Sequence, residues 1–121
     1  MKTTLHRALG LVLALSCLAV VASAHPKGDT VTVKGEIVDL WCFLESGARG
    51  ADHKDCGTAC AKNGNPIGLV TEQGEVYVMM GLKDHQPARI VLVDKMAATV
   101  TVEGTLVKQG GMQVIYVSKV R

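Results

Sequence analysis

Four side chains with soft or borderline donor atoms fall within one short stretch of this sequence: Cys42, His53, Cys56 and Cys60. Three thiolates and an imidazole form a Cys3His set suited to Cu(I) or Zn(II). His53, Cys56 and Cys60 stand at i, i+3 and i+7, so on an α-helix all three project from one stripe. The chain can supply that helix. Asp52 is a good N-cap, Asp55 supports it three residues later, and Asn63-Gly64 provides a C-terminal stop with Pro66 beyond. Gly57 lies in the interior of this expected helix, residues 52–62, where it is either a simple weakness or a place of close backbone approach. Cys42 is expected to arrive from the end of a preceding strand and complete the shell. A closed tetrahedral site would hold structural zinc, whereas two or three ligands with an open position would permit copper transfer. In an oxidising compartment a metal must keep the thiols reduced, and Cu(I) holds thiolates strongly, so copper is the first expectation and zinc the second.

Two other chemistries use the same residues. A disulfide from Cys42 to Cys56 or Cys60, or between the latter two, would act as a staple with His53 an ordinary surface residue. One thiol would then be left over, because only three of the four cysteines lie outside the leader. In the second, Cys56 and Cys60 form an exchangeable redox pair with Cys42 resolving it. The chain has no CxxC and no thioredoxin-like βαβ pattern, so an enzymatic role is not the expectation. The missing CxxCH excludes covalent haem by the usual route. His25 would head the mature chain, where its amine and imidazole together could chelate Cu(II), but an incidental histidine in a floppy terminus is the simpler reading. His85 reads as a turn residue. Met79 and Met80 should face opposite sides of a strand, and Trp41 reads as a packing residue. Asp39 and Glu45 flank the site; either could orient His53, with solvent exposure the default.

The compartment follows from the first residues. A basic start with Lys2 and Arg7, an apolar run from Ala8 to Val21 and the small residues Ala22-Ser23-Ala24 read as a signal peptide over 1–24, so the protein is expected to be periplasmic or secreted. The run is too short for a membrane span, and none is expected after cleavage. The whole chain has 13 Lys+Arg against 11 Asp+Glu, but Lys2 and Arg7 leave with the leader and no acid does. A neutral mature chain offers no electrostatic footprint for nucleic acid. Its partners would be a metal ion and, on a barrel surface, another protein.

Residues 25–121 suffice for one domain. From Val31 to Trp41 apolar and polar residues alternate, predicting a strand of about ten residues that ends at Cys42. Phe43 to Ala51, with Gly47 and Gly50, reads as a loop. Ile67–Thr71 and Glu75–Leu82 form a hairpin through Glu72-Gln73-Gly74, and Thr99–Lys108 and Met112–Val120 form another through Gln109-Gly110-Gly111. Arg89 to Met96 fits a strand by composition and a helix by its position after Pro87. Gly104 interrupts its strand as a bulge or bend would. These elements predict an all-β fold with an inserted helix: a five-stranded OB-like barrel with the Cys/His helix between strands 1 and 2.

Gly35-x-Ile37-Val38-Asp39-x-x-Cys42-Phe43-Leu44, then Gly47-x-x-Gly50, His53-x-x-Cys56-x-x-x-Cys60 and Gly64-x-Pro66-Ile67-Gly68-Leu69 resemble a group of small secreted bacterial OB-like proteins that are functionally uncharacterised. The resemblance covers about half of the mature chain. It implies a fold and an exported location and no established activity. A looser similarity, to periplasmic copper-binding OB barrels, makes copper handling on such a barrel an expectation, although their His and Met ligands do not map onto residues here.

Overall fold

Alternating β-branched and polar residues produce the first strand, β1 (Asp29–Asp39), whose inward positions Ile37 and Asp39 are fully buried. The computed structural model describes residues 26–121; the signal peptide expected over 1–24, and His25, lie outside the described residues. After β1 come two helices, α1 (Leu40–Ser46) and α2 (Lys54–Lys62), separated by a loop and a 3-10 turn over Ala51–His53. The strands β2 (Ile67–Val70) and β3 (Val76–Met80) follow as a hairpin. A short helix, α3 (Arg89–Leu92), leads through a 3-10 turn at Val93–Lys95 to β4 (Thr99–Gln109) and β5 (Met112–Val120).

The strands close into a barrel in the order β1-β2-β3-β5-β4. Every neighbouring pair is antiparallel except β3 and β5, which run parallel with Val78 opposite Val114. This is the expected five-stranded OB-like barrel, with the helix that bears Cys56 and Cys60, and His53 at its N-cap, inserted between β1 and β2. Closure leaves no long unpaired edge. The bulge expected at Gly104 is present as a register shift between Glu103 and Gly104. A Cβ at Gly104 would run into the Tyr116 carbonyl and would meet Ile115 Cγ2 at 2.7 Å, so β4 can press against β5 there only without a side chain.

Two apolar clusters hold the insertion to the barrel. The larger, centred on Ile37, Leu69, Val102 and Ile115, also takes in Ala61 of α2 and Leu92 of α3. The smaller joins Val38, Leu40 and Val70, with Phe43, Val76 and Val78 packed against it. One cluster therefore anchors α2 and the other anchors α1.

Several local expectations change. The first strand stops at Asp39 instead of running to Trp41, because the Asp39 carboxylate caps a helix at that point. Residues 40–46 are helical rather than loop, and Trp41 sits 65 % exposed rather than packed. Asp52 lies in the 3-10 turn, and His53 occupies the N-cap position of α2 without a side-chain cap bond. Arg89 to Lys95 resolves as helical, the position after Pro87 outweighing its β-branched composition. Met79 points in at 3 % exposure and Met80 out at 37 %, as alternation requires. Among the described residues, no helix is long and apolar enough to cross a membrane.

Candidate metal centre

Asp39 organises the site. Its Oδ1 accepts the Cys42 backbone N–H at 3.0 Å, satisfying a free donor of the first turn of α1 and fixing the start of that helix. Leu40, one residue on, is buried and pins the turn to the barrel. The other end of α1 is closed by Gly47, left-handed at φ 73°, whose N–H donates to the Phe43 carbonyl at 2.7 Å. Cys42 thus projects from the first turn of a short, doubly capped helix rather than from a strand end.

The chain then turns back. Glu36 of β1 accepts the Gly50 N–H and ties the loop to the barrel, and the His53 N–H donates to the Gly50 carbonyl at 3.0 Å. From there α2 runs past α1, carrying Cys56 and Cys60 one turn apart. Gly57 has a structural purpose. A Cβ at this position would lie 3.1 Å from Met96 Sδ and 3.5 Å from His53 Cδ2, so the missing side chain lets α2 settle against Met96 beside the imidazole. The close approach is to Met96, which bridges Ile37 of β1, rather than to the strand itself.

All four expected residues come together, and they do so as two groups that share Cys42. Donor atoms of Cys42, His53 and Cys56 lie within 4.8 Å of one another, and so do those of Asp39, Cys42 and Cys60. The three cysteines are free thiols. Cys56 is exposed, Cys42, His53 and Cys60 are half-buried, and Asp39 is completely buried. Two polar atoms in this cluster are buried with no hydrogen-bond partner: His53 Nε2 in the first group and Asp39 Oδ2 in the second. Orphaned buried polar atoms are costly, and an ion is one of the few ways to satisfy them.

The electrostatics mark Cys42 as the pivot. The Asp39 carboxylate beside it, with burial and the neighbouring Cys60, pushes the Cys42 thiol up to about 12. Burial also raises Cys60, partly offset by the neighbouring Cys42 thiol. Without an ion, the surroundings favour the neutral thiols of Cys42 and Cys60; a bound cation would reverse that preference by drawing off the protons.

Sequence reading missed Asp39 as a member of the cluster. The signal was present: Asp39 stands directly before Leu40-Trp41-Cys42-Phe43-Leu44-Glu45, and Gly47 ends the segment, which is the pattern of a capped helix. The strong alternation upstream masked it. Glu45, the other flanking acid, is exposed and joins neither group. His85 lies in an exposed turn, its Nδ1 3.0 Å from Asp84 Oδ1 and outside both groups. No protein-family model, curated protein or solved structure matches the chain.

Proposed function

We propose that this is an exported soft-metal-binding protein, periplasmic or secreted, which takes Cu(I) in preference to Zn(II) and serves as a carrier, buffer or accessory factor. Cys42, His53, Cys56 and Cys60 are its ligand residues. The observation that carries the reading is the meeting of three free thiols with an imidazole whose buried Nε2 has no other partner. The donor chemistry favours a soft ion. The exposed Cys56 supports exchange over permanent storage, since a ligand at the surface can be handed to an incoming chelator or partner. No catalytic role is proposed.

The rival reading is a disulfide-stapled binding module. Mass spectrometry of the exported protein, purified without reductant, separates the two. The metal reading expects three thiols that become alkylatable only after chelation. A mass two hydrogens lower with no metal retained would overturn it in favour of the staple. Under strictly anaerobic conditions the protein should also hold Cu(I) against a chromogenic Cu(I) chelator. Cys42→Ser should weaken that hold by about 100-fold or more, since loss even of a residue that only supports a ligand costs 10–100-fold.

A further inference from the structure

We infer that the centre has two adjoining ion positions bridged by the Cys42 sulfur: an outer one formed by Cys42, His53 and Cys56, and an inner one formed by Asp39, Cys42 and Cys60. The inference rests on the proposed metal function and extends it to a second ion and to a fifth residue, Asp39.

The geometry divides the donors this way. Each group closes to within 4.8 Å internally, and Cys42 is the member common to both. A thiolate sulfur has several lone pairs and can bind two ions at once, which neither an imidazole nitrogen nor a single carboxylate oxygen does as readily. Cys42 is also placed for this, its sulfur lying within 4.8 Å of donor atoms of Asp39 at the end of β1 and of Cys56 and Cys60 on α2.

Asp39 supplies the independent observation. It is 0 % exposed, and one oxygen accepts the bond that caps α1 while the other is buried without a partner. Among the described residues it takes part in no salt bridge; Arg49 lines the same small cleft as Asp39 and His53 without forming one. A carboxylate withdrawn from water with one oxygen unsatisfied calls for a cation, because uncompensated buried charge is strongly unfavourable. An ion in the outer position alone would satisfy His53 and leave Asp39 Oδ2 as it is. Only a second ion, on the inner side, answers the orphan that the outer one leaves.

Charge fits as well. When both positions fill, Cys42, Cys56 and Cys60 each release a proton to solvent, and with Asp39 they present four negative charges to two divalent ions, leaving the centre neutral. A carboxylate beside two thiolates is a donor set for Zn(II) more than for Cu(I), so a borderline divalent ion is the class expected inside. Copper would compete chiefly for the outer, imidazole-bearing position.

Zinc titration of the reduced, exported protein under native mass spectrometry tests this. The wild type should take up two Zn(II). Asp39→Asn should take up one, since asparagine keeps the helix cap but loses the anionic donor. Cys60→Ser should also take up one; it leaves the cap untouched, so it answers even if the Asp39 variant folds poorly. Substitution with Co(II) supplies a readout specific to bridging: two Co(II) ions sharing a thiolate couple magnetically, so the electron paramagnetic signal should grow to the first equivalent and shrink towards the second. Saturation at one Zn(II) in the wild type, unchanged in Asp39→Asn and Cys60→Ser, would overturn the inference while Cu(I) retention left the metal function standing. Failure to bind either ion would remove both. Two ions whose Co(II) signals simply add would also overturn the bridge.

Discussion

At the scale of single residues, Cys42 and Cys56 are the same group in opposite surroundings. Cys56 is exposed, whereas the Cys42 thiol is pushed up to about 12 by the Asp39 carboxylate beside it and by burial. Alkylation follows the thiolate. In metal-free protein at about pH 8, iodoacetamide should label Cys56 first and Cys42 last, as peptide mapping would read; simultaneous labelling would contradict the surroundings described. Asp39→Asn removes the negative acceptor and should speed the labelling of Cys42. The same shift has a stability consequence with a definite sign. An unfolded chain releases this proton near the ordinary 9.0 and the folded one near 12, so the metal-free fold loses stability as pH rises from 9 to 12 and is indifferent to this group below 9. Denaturant midpoints across that range check it, and Cys42→Ser should lessen the decline. The four ligand candidates were legible because residue type and helical spacing are written in the sequence. Asp39 was not, because burial and an orphaned second oxygen are tertiary facts: the same letter at a strand end is ordinarily exposed.

At the scale of elements, α1 and α2 bring the donors together because each is bound to a different part of the barrel. Leu40 and Phe43 hold α1 to the small cluster, and Ala61 with Gly57 holds α2 to the large one, so the sulfurs meet at the seam. Gly57 tests how tight that seam is. Glycine in a helix costs about 1 kcal/mol relative to alanine, so Gly57→Ala gains propensity but must displace Met96 Sδ from 3.1 Å, and the two effects oppose each other. Gly57→Leu has no such ambiguity. It should destabilise the fold by about 1–3 kcal/mol through overpacking, and it should weaken Cu(I) retention by pushing at His53. Thermal melts and chelator competition on one sample give both numbers; a variant with unchanged melting and unchanged copper retention would show the seam to be loose. The hairpins and the Gly104 bulge were readable from alternation and glycine placement. The α1 helix was hidden because period-two alternation runs straight up to its cap, and seven residues are too few for helical periodicity to show against it.

At the scale of the whole molecule, the barrel and the centre are separable in their energetics while joined in position. The largest buried apolar side chains, Ile37, Ile67, Leu69, Leu92, Ile115 and Val102, belong to a core cluster that contains no donor of either group, Asp39 being the one donor buried as deeply. Ion binding should therefore stabilise by mass action on an already folded domain, about 2.7 kcal/mol at a free ion concentration 100 times the dissociation constant. It should not be required for folding, as it is in proteins whose only core is the metal. Ile115 offers the decisive case, being 0 % exposed on β5, which pairs with β3 and β4 and not with β1, while sharing the large apolar cluster with Ala61 of α2. Ile115→Ala should cost about 2–5 kcal/mol in the metal-free protein, and the rise in melting temperature on adding Cu(I) should remain, with the chelator-competed affinity unchanged within experimental error. Chelation of the wild type should in turn leave its β-sheet circular dichroism intact and its melt cooperative. If Ile115→Ala abolished metal retention at a temperature where the barrel is still folded, the two parts would be coupled through the core, and the centre would owe its geometry to the barrel interior rather than to the two anchored helices.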